Sequence, residues 1–290
     1  MEANKKALVI LNPKSGTKSK KGLIRQLEQN AEWVDFRFTE KPGHLTTIIE
    51  EEFDQYSIFI AAGGDGTVNE MAKKLYNTDK IMGIIPYGSG NGFARELGFK
   101  NKIPRLIKGI KKGKHLHIDV IHINEHPFVN MAGFGLDSYV AHLFQNLPKR
   151  GLLSYVKSTY KALKTFQPFK ASIEYKKQKV EDDFLMVAIA NTRQFGNNAK
   201  IAPNADPCDG IFDIVMVRKV PFYNYLQFGY QMFTGRLAKS KYVEFIPCQE
   251  KAVIQSSNEQ FHIDGEPIFI QSPLTIELKP KALRVLNLKN

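Results

Sequence analysis

The residues able to do chemistry sit in turns. Gly63-Gly64-Asp65-Gly66-Thr67-Val68-Asn69 follows an apolar run, Ile58 to Ala62, and leads into a helical pattern at Val68, Met71, Ala72 and Leu75. Glycines let a backbone approach a phosphate, and the free N–H groups of a helix start point at the anion. Asp65 would repel phosphates unless a cation lay between, which suggests Mg²⁺-nucleotide. An ordinary strand-to-helix turn explains the same residues without a ligand. Asn12-Pro13-Lys14-Ser15-Gly16, followed by Lys18, Lys20 and Lys21, offers N–H groups, a hydroxyl and cations. A polar loop before a solvated lysine run is its plain alternative. Thr39 ends the next strand pattern and could reach the same edge.

Asp264 stands in Phe261-His262-Ile263-Asp264-Gly265-Glu266. Asp-Gly between alternating residues is a hairpin signal. As a carboxylate that orients and deprotonates an attacking hydroxyl, the same residue would be a general base for phosphoryl transfer. Asp206-Pro207-Cys208-Asp209-Gly210-Ile211 combines acidic spacing with turn carbonyls. It reads either as an oxygen site for Mg²⁺ or Ca²⁺ or as a loop before a strand. His115 and His117 have no third ligand nearby, which argues against a histidine metal site, and His262 shares a strand face with Asp264.

These turns need a scaffold. Residues 1 to about 124 alternate strand and helix patterns: Ala7 to Leu11, Trp33 to Phe38, Ile58 to Ala61 and Met82 to Ile85 as strands, with helices around Leu23 to Leu27, His44 to Phe53 and Val68 to Tyr76. That order predicts a parallel sheet with helices on both faces, its ligands at the carboxyl ends of the strands. From about residue 115 strand patterns dominate, among them Leu116 to Ile123, Pro127 to Ala132, Phe184 to Ala190 and Leu274 to Leu278. Helical stretches interrupt them only at Leu136 to Gln145, Leu153 to Phe166 and Tyr223 to Leu237. This predicts a largely antiparallel second domain, with residues 1–124 and 125–290 as the two domains.

Composition narrows the classes. With 43% hydrophobic residues the 290-residue chain is globular, and 41 Lys and Arg against 29 Asp and Glu favour anionic partners. The cations cluster at Lys108, Lys111, Lys112 and Lys114 and again at Lys149, Arg150, Lys157, Lys161 and Lys164, the last three beside Tyr160 and Leu163 at helical spacing. A solvated face and a contact with an anionic membrane surface both fit such a stripe. No nucleic-acid motif is present, so no nucleic-acid partner is expected. No run is long enough to span a bilayer or form a signal-peptide core, which gives a cytoplasmic expectation. Cys208 and Cys248 are read as reduced bystanders. The third turn, Gly88-Ser89-Gly90-Asn91-Gly92, departs from GxGxxG because its third glycine falls one place early, and no GxxxxGK[ST] occurs. A standard Rossmann dehydrogenase and a Walker NTPase are thereby disfavoured.

Taken in order, Asn12-Pro13-x-Ser15-Gly16, Gly63-Gly64-Asp65-Gly66-Thr67-x-Asn69-Glu70, Gly88-Ser89-Gly90-Asn91-x-Phe93-Ala94-Arg95, Phe128-Val129-Asn130-x-Ala132-Gly133-Phe134-Gly135 and Asp264-Gly265-Glu266 resemble the diacylglycerol kinase catalytic-domain family of soluble lipid kinases. That family includes the sphingosine and ceramide kinases, and the resemblance covers almost the whole chain. It implies an α/β N-terminal domain with a parallel sheet, phosphofructokinase- or NAD kinase-like, a C-terminal β-sandwich and a lipid site in the cleft between them. By matching position Asn12, Pro13, Lys14, Ser15, Gly16, Thr39, Gly63, Gly64, Asp65, Gly66, Thr67, Val68, Asn69 and Ser89 would bind ATP. Asp264 would accept the proton of the lipid hydroxyl. Asp65 and Asp119 would belong to an acidic network around catalytic Mg²⁺, and Asp209, with backbone oxygens of Asp206 and Ile211, to a structural Mg²⁺ site.

Bacterial diacylglycerol kinases of this family usually carry Thr and Asp where this chain has Ser89 and Gly92. That Asp belongs to the family's acidic network, so its loss weakens the transfer of diacylglycerol specificity, and the Gly-Ser-Gly-Asn-Gly form looks closer to the sphingoid and ceramide kinase versions. The resemblance as a whole implies an ATP- and Mg²⁺-dependent lipid kinase working peripherally at the membrane surface. Diacylglycerol is the favoured acceptor, and a sphingoid-base or ceramide-type lipid is the alternative. An NAD kinase would explain the central glycine turn but not Asn12 to Gly16 or Phe128 to Gly135, and a non-catalytic nucleotide- or lipid-binding regulator is the non-enzyme rival. A homodimer is compatible with all of these.

Overall fold

The computed structural model describes residues 6–16, 19–88, 90–145, 162 and 165–288, with backbone alone at 141–145. Chain contacts divide it into two units, Met1–Ile118 with Lys281–Asn290, and Asp119–Pro280.

The first unit runs β1 (Ala7–Leu11), α1 (Lys21–Glu28), β2 (Val34–Phe38), α2 (His44–Glu51), β3 (Ile58–Gly63), α3 (Asp65–Leu75), β4 (Ile81–Pro86), α4 (Gly92–Glu96) and α5 (Ile103–Lys112). Strands β1 and β3 are buried at every position, as a parallel sheet covered on both faces requires. The order is β2-β1-β3-β4, all parallel. Leu11 lies opposite Phe38 on one side and Ala62 on the other, and Gly63 opposite Pro86, so four strands end level. The turns that follow them share one edge.

The sequence reading sees only a lysine cluster where α5 forms. Pro104 in its first turn and Gly113 in the left-handed conformation bound this helix. Ile103, Leu106, Ile107 and Ile110 are buried, while Lys108, Lys111 and Lys112 are exposed. Lys111 lies 4.4 Å from the centre of the Trp33 ring. This cluster is a solvated helix face.

The second unit contains most of β5 (His115–Ile123), then β6 (His126–Phe128), β7 (Met131–Gly135), α6 (Leu136–Gln145), β8 (Phe169–Tyr175), β9 (Gln178–Ala190), β10 (Phe212–Arg218), α7 (Tyr225–Thr234), β11 (Val243–Cys248), β12 (Ala252–Ser256), β13 (Gln260–Ile263), β14 (Glu266–Phe269) and the first part, through Pro280, of β15 (Leu274–Leu286). Its pairing is antiparallel along β14-β13-β7-β9-β8-β12-β15, with β10 on β9 and β11 on β10. Phe128, Phe134, Phe184, Phe212 and Phe261 fill its core, and the Phe134 ring lies 4.6 Å from that of Phe261 and 5.3 Å from that of Phe169. An α/β unit with a parallel sheet followed by an antiparallel β-sandwich-like unit is the expected fold class.

Two features differ from the expected organisation, and one expected helix falls outside the described residues. The division falls at Ile118/Asp119 instead of 124/125, and the chain end returns to the first unit. There Arg284 and Val285 of β15 pair in parallel with Ile81 and Met82 of β4, and the Arg105 guanidinium donates to the Leu288 carbonyl at 2.9 Å. The expected strand Pro127 to Ala132 is two strands, because the N–H groups of Val129, Asn130 and Met131 turn away to a side chain. The expected helix Leu153 to Phe166 lies almost wholly outside the described residues, as do Lys149, Arg150, Lys157, Lys161 and Lys164.

Phe134 has no exposed surface and two aromatic neighbours. Phe134→Ala is expected to lower unfolding free energy by about 3–5 kcal/mol, read from urea denaturation followed by far-ultraviolet circular dichroism.

Candidate active site

In the first unit three glycine-bearing turns lock together. Asn12, directly after β1, donates through Nδ2 to Thr67 Oγ1 at 3.3 Å and accepts the Lys14 N–H at 2.9 Å through Oδ1. Ser15 Oγ accepts the Gly64 N–H at 3.3 Å. The first turn is thereby fastened to the second. Lys20 donates to the Ser15 carbonyl and lies 5.7 Å from the Tyr87 ring centre. Thr39 is held at the same edge by its N–H to the Leu11 carbonyl, 3.0 Å.

Asp65 fastens the second turn to the third. Its two carboxylate oxygens each accept an N–H at 2.9 Å, one from Asn91 and one from Gly92. Burial pushes its carboxyl up from the ordinary value, against the pull of those two N–H groups and of Arg95. Asn91, at φ +52°, bridges the N–H and carbonyl of Gly88 with its own amide. A Cβ on Gly88 would stand 2.6 Å from Gly64 Cα and 2.9 Å from Asn91 Oδ1, and one on Gly16, at φ +64°, would strike the Tyr87 carbonyl. Only glycine permits these approaches.

Helix α3 begins with Gly64 as its cap, a residue with no side chain to bond the first turn. Its first N–H groups therefore lack intrahelical acceptors, which is the donor set a phosphate takes. Both amide atoms of Asn69, a residue 2% exposed, lack a hydrogen-bond partner among the described residues. Asn12 to Gly16, Thr39 and Gly63 to Asn69 are thus brought to one edge, while Ser89 lies outside the described residues.

In the second unit Asp264 begins the turn between β13 and β14, with φ +50° there and +84° at Gly265, as a tight hairpin demands. Its Oδ1 accepts the N–H groups of Asn130 and Met131, both at 3.0 Å, and its Oδ2 that of Val129 at 3.2 Å. Its own N–H donates to the Met131 carbonyl at 2.8 Å. The residue is 6% exposed. Asn191 carries the network onward, donating to the Val129 carbonyl at 2.7 Å and to the Asp119 carbonyl at 2.8 Å. Thr192 donates to Asn130 Oδ1.

Asp119 accepts the Gly210 N–H at 2.7 Å, and its own N–H reaches the Pro207 carbonyl at 2.7 Å. The loop Asp206 to Ile211 is therefore tied to Asp119, and through Asn191 to the strand break beside Asp264. Burial pushes the Asp209 carboxyl up, and the nearby charges of Asp206 and Asp119 push it further. Repulsion of this kind is what a divalent cation removes. Among the described residues no three His, Cys, Asp or Glu side chains are arranged to hold a metal, so backbone oxygens would have to complete any shell. Asp65 and Asp119 belong to different units.

Asn191 and Thr192 are not among the sequence-based expectations, although a polar pair directly after the fully buried end of β9 was their signal. Nor is Asp137, whose carboxylate lies 3.0 Å from Nε2 of His262 with both side chains nearly solvent-free. Gly88→Ala is expected to wedge the second and third turns apart and cost about 1–3 kcal/mol, seen as a lower denaturant midpoint.

The geometry has relatives. Residues 6–123 match the diacylglycerol kinase catalytic domain, and residues 130–287 match the YegS C-terminal NAD kinase beta sandwich-like domain. A diacylglycerol kinase of Bacillus subtilis (strain 168) is 27% identical over 278 residues, covering 90% of each chain. One of Staphylococcus aureus (strain bovine RF122 / ET3-1) is 29% identical over 275 residues, covering 90% of this chain and 86% of its own. The fold of a solved diacylglycerol kinase structure from Bacillus anthracis str. Sterne agrees with a TM-score of 0.73 at 24% identity, over 98% of this chain and 97% of the other. Two matches that together span nearly the whole chain, in the order that its turns and hairpin require, make it a member of the diacylglycerol kinase catalytic-domain family of lipid kinases.

Proposed function

We propose that the protein transfers the γ-phosphoryl group of ATP to the hydroxyl of a membrane lipid, with diacylglycerol as acceptor and phosphatidic acid as product. The observation that carries this reading is the Asp264 carboxylate, fixed on three consecutive backbone N–H groups within a tight hairpin. A base held this firmly orients one hydroxyl. The hydroxyl oxygen bonds to the γ-phosphorus, the bond from that phosphorus to the bridging oxygen breaks, ADP leaves, and the hydroxyl proton passes to Asp264. The uncapped start of α3 and the Ser15 hydroxyl receive nucleotide phosphates, with Lys14 and Lys20 adding positive charge.

A divalent cation fits the loop chemistry. Asp206, Asp209 and the Ile211 carbonyl would hold it, with Asp119 supporting the loop through Gly210. In such reactions Mg²⁺ offsets phosphate charge. Relatives named diacylglycerol kinase support that acceptor. Gly92 is the residue that favours a sphingoid-base or ceramide-type acceptor instead.

Asp264→Asn keeps an oxygen for Asn130 and Met131 but removes the base. Turnover of diacylglycerol in mixed micelles, with sphingosine and ceramide run in parallel, should fall by about 10²–10⁴. Titration with a fluorescent ATP analogue should change less than about twofold. A fully active variant would refute the assignment. Saturating Mg²⁺ should raise the melting temperature of the parent protein by about 2–4 °C, and Asp209→Asn should abolish that rise.

A further inference from the structure

Helix α7 is apolar on two opposite faces. Tyr225, Phe228 and Met232 pack against the core of the second unit. The other face carries Leu226, Tyr230 and Phe233, and the single 3-10 turn that leads into the helix, Phe222–Asn224, adds Phe222 four residues before Leu226, with Tyr223 alongside. Leu226, Tyr230, Phe233, Phe222 and Tyr223 are 90%, 58%, 46%, 80% and 71% exposed, and they make up most of the exposed large hydrophobic residues among those described. A helix apolar all round is ordinarily buried. A contiguous exposed stripe of this kind marks a surface that meets something.

Charge indicates what it meets. From Ile214 to Val243 the chain has no Asp or Glu. Lys219, Arg236, Lys239 and Lys241 stand exposed around the helix, and none makes an ion pair among the described residues. Arg236 also leans on the Tyr230 hydroxyl at 3.4 Å, placing a cation at the margin of the aromatic stripe. Aromatic and leucine side chains rimmed by cations without an acidic partner among the described residues match the boundary between acyl chains and anionic headgroups. A second copy of the chain meeting this face symmetrically would set cations against cations, with no acid in the segment to offset them.

We propose that α7 with Phe222 and Tyr223 is the surface by which this protein lies on an anionic bilayer. Phe222, Leu226 and Phe233 enter the acyl boundary, and Lys219, Arg236, Lys239 and Lys241 face the headgroup phosphates. The occupant rests on the lipid-kinase reading, since an enzyme whose acceptor is a membrane lipid has to reach that lipid. The described residues contain no helix long and apolar enough to cross a membrane, so the contact is interfacial.

The test is flotation of the full chain with phosphatidylcholine vesicles and with 70:30 phosphatidylcholine–phosphatidylglycerol vesicles, without ATP or diacylglycerol. The parent protein should float with the anionic vesicles. Phe222→Glu with Leu226→Glu should weaken partitioning by about tenfold or more. Lys239→Glu with Lys241→Glu should erase the preference for phosphatidylglycerol, about fivefold per charge removed. Both doubles should keep the parent melting temperature and the parent rate on a monomerically dispersed short-chain diacylglycerol. Failure of the parent to float, or flotation of the glutamate double like the parent, overturns the proposal. So does a parent dimer that the glutamate double dissociates without loss of vesicle binding. Loss of turnover on dispersed lipid by the parent would instead count against the kinase reading, because flotation is measured without turnover.

Discussion

Backbone N–H groups captured by carboxylates organise the turns of both units. Asp264 takes three in succession, and in doing so breaks what would be one strand into β6 and β7. Asp65 takes two and thereby defines the third glycine turn. A hydrogen bond to an ionised acceptor contributes about 1.5–3 kcal/mol, against about 0.5–1.5 kcal/mol for a neutral one. The side chains best suited to handle charge are therefore also the ones that shape the loops around them. Replacing either changes loop geometry and chemistry together, so nucleotide binding and turnover have to be read separately from stability.

The α/β order, the antiparallel second unit and the edge where the glycine turns gather were legible in the sequence. Period-two and period-3.6 patterns follow from burial, and Ala7 to Leu11 is a strand in both readings because a doubly covered parallel strand has no polar position. Helix α5 was not legible, since its apolar residues are interleaved with lysines that dominate the local composition. The gap in the strand around Val129 and Asn130 was invisible for a different reason: its cause, Asp264, lies 134 and 135 residues further on.

The site was legible as residue types more than as roles. Asp65 announced itself as a carboxylate among glycines, but its two carboxylate oxygens accept the N–H groups of the neighbouring turn. Asp119 stood in an ordinary alternating strand, and its tie to the Asp206 to Ile211 loop exists only in three dimensions. Asn191 has no signature beyond a polar residue where a buried strand ends, yet it joins that loop to the segment gripped by Asp264. Local sequence records what a residue can donate or accept; folding decides to whom.

The return of the chain end to the first unit has a temporal consequence. Ribosomes release the N-terminal strands first, but β4, with Met82, Ile84 and Ile85 buried, lacks its neighbour until Arg284 and Val285 have been made. During synthesis the growing polypeptide therefore carries an open, apolar sheet edge for roughly two hundred residues, the condition under which strands pair with the wrong chain. The α/β unit starts first and is completed last.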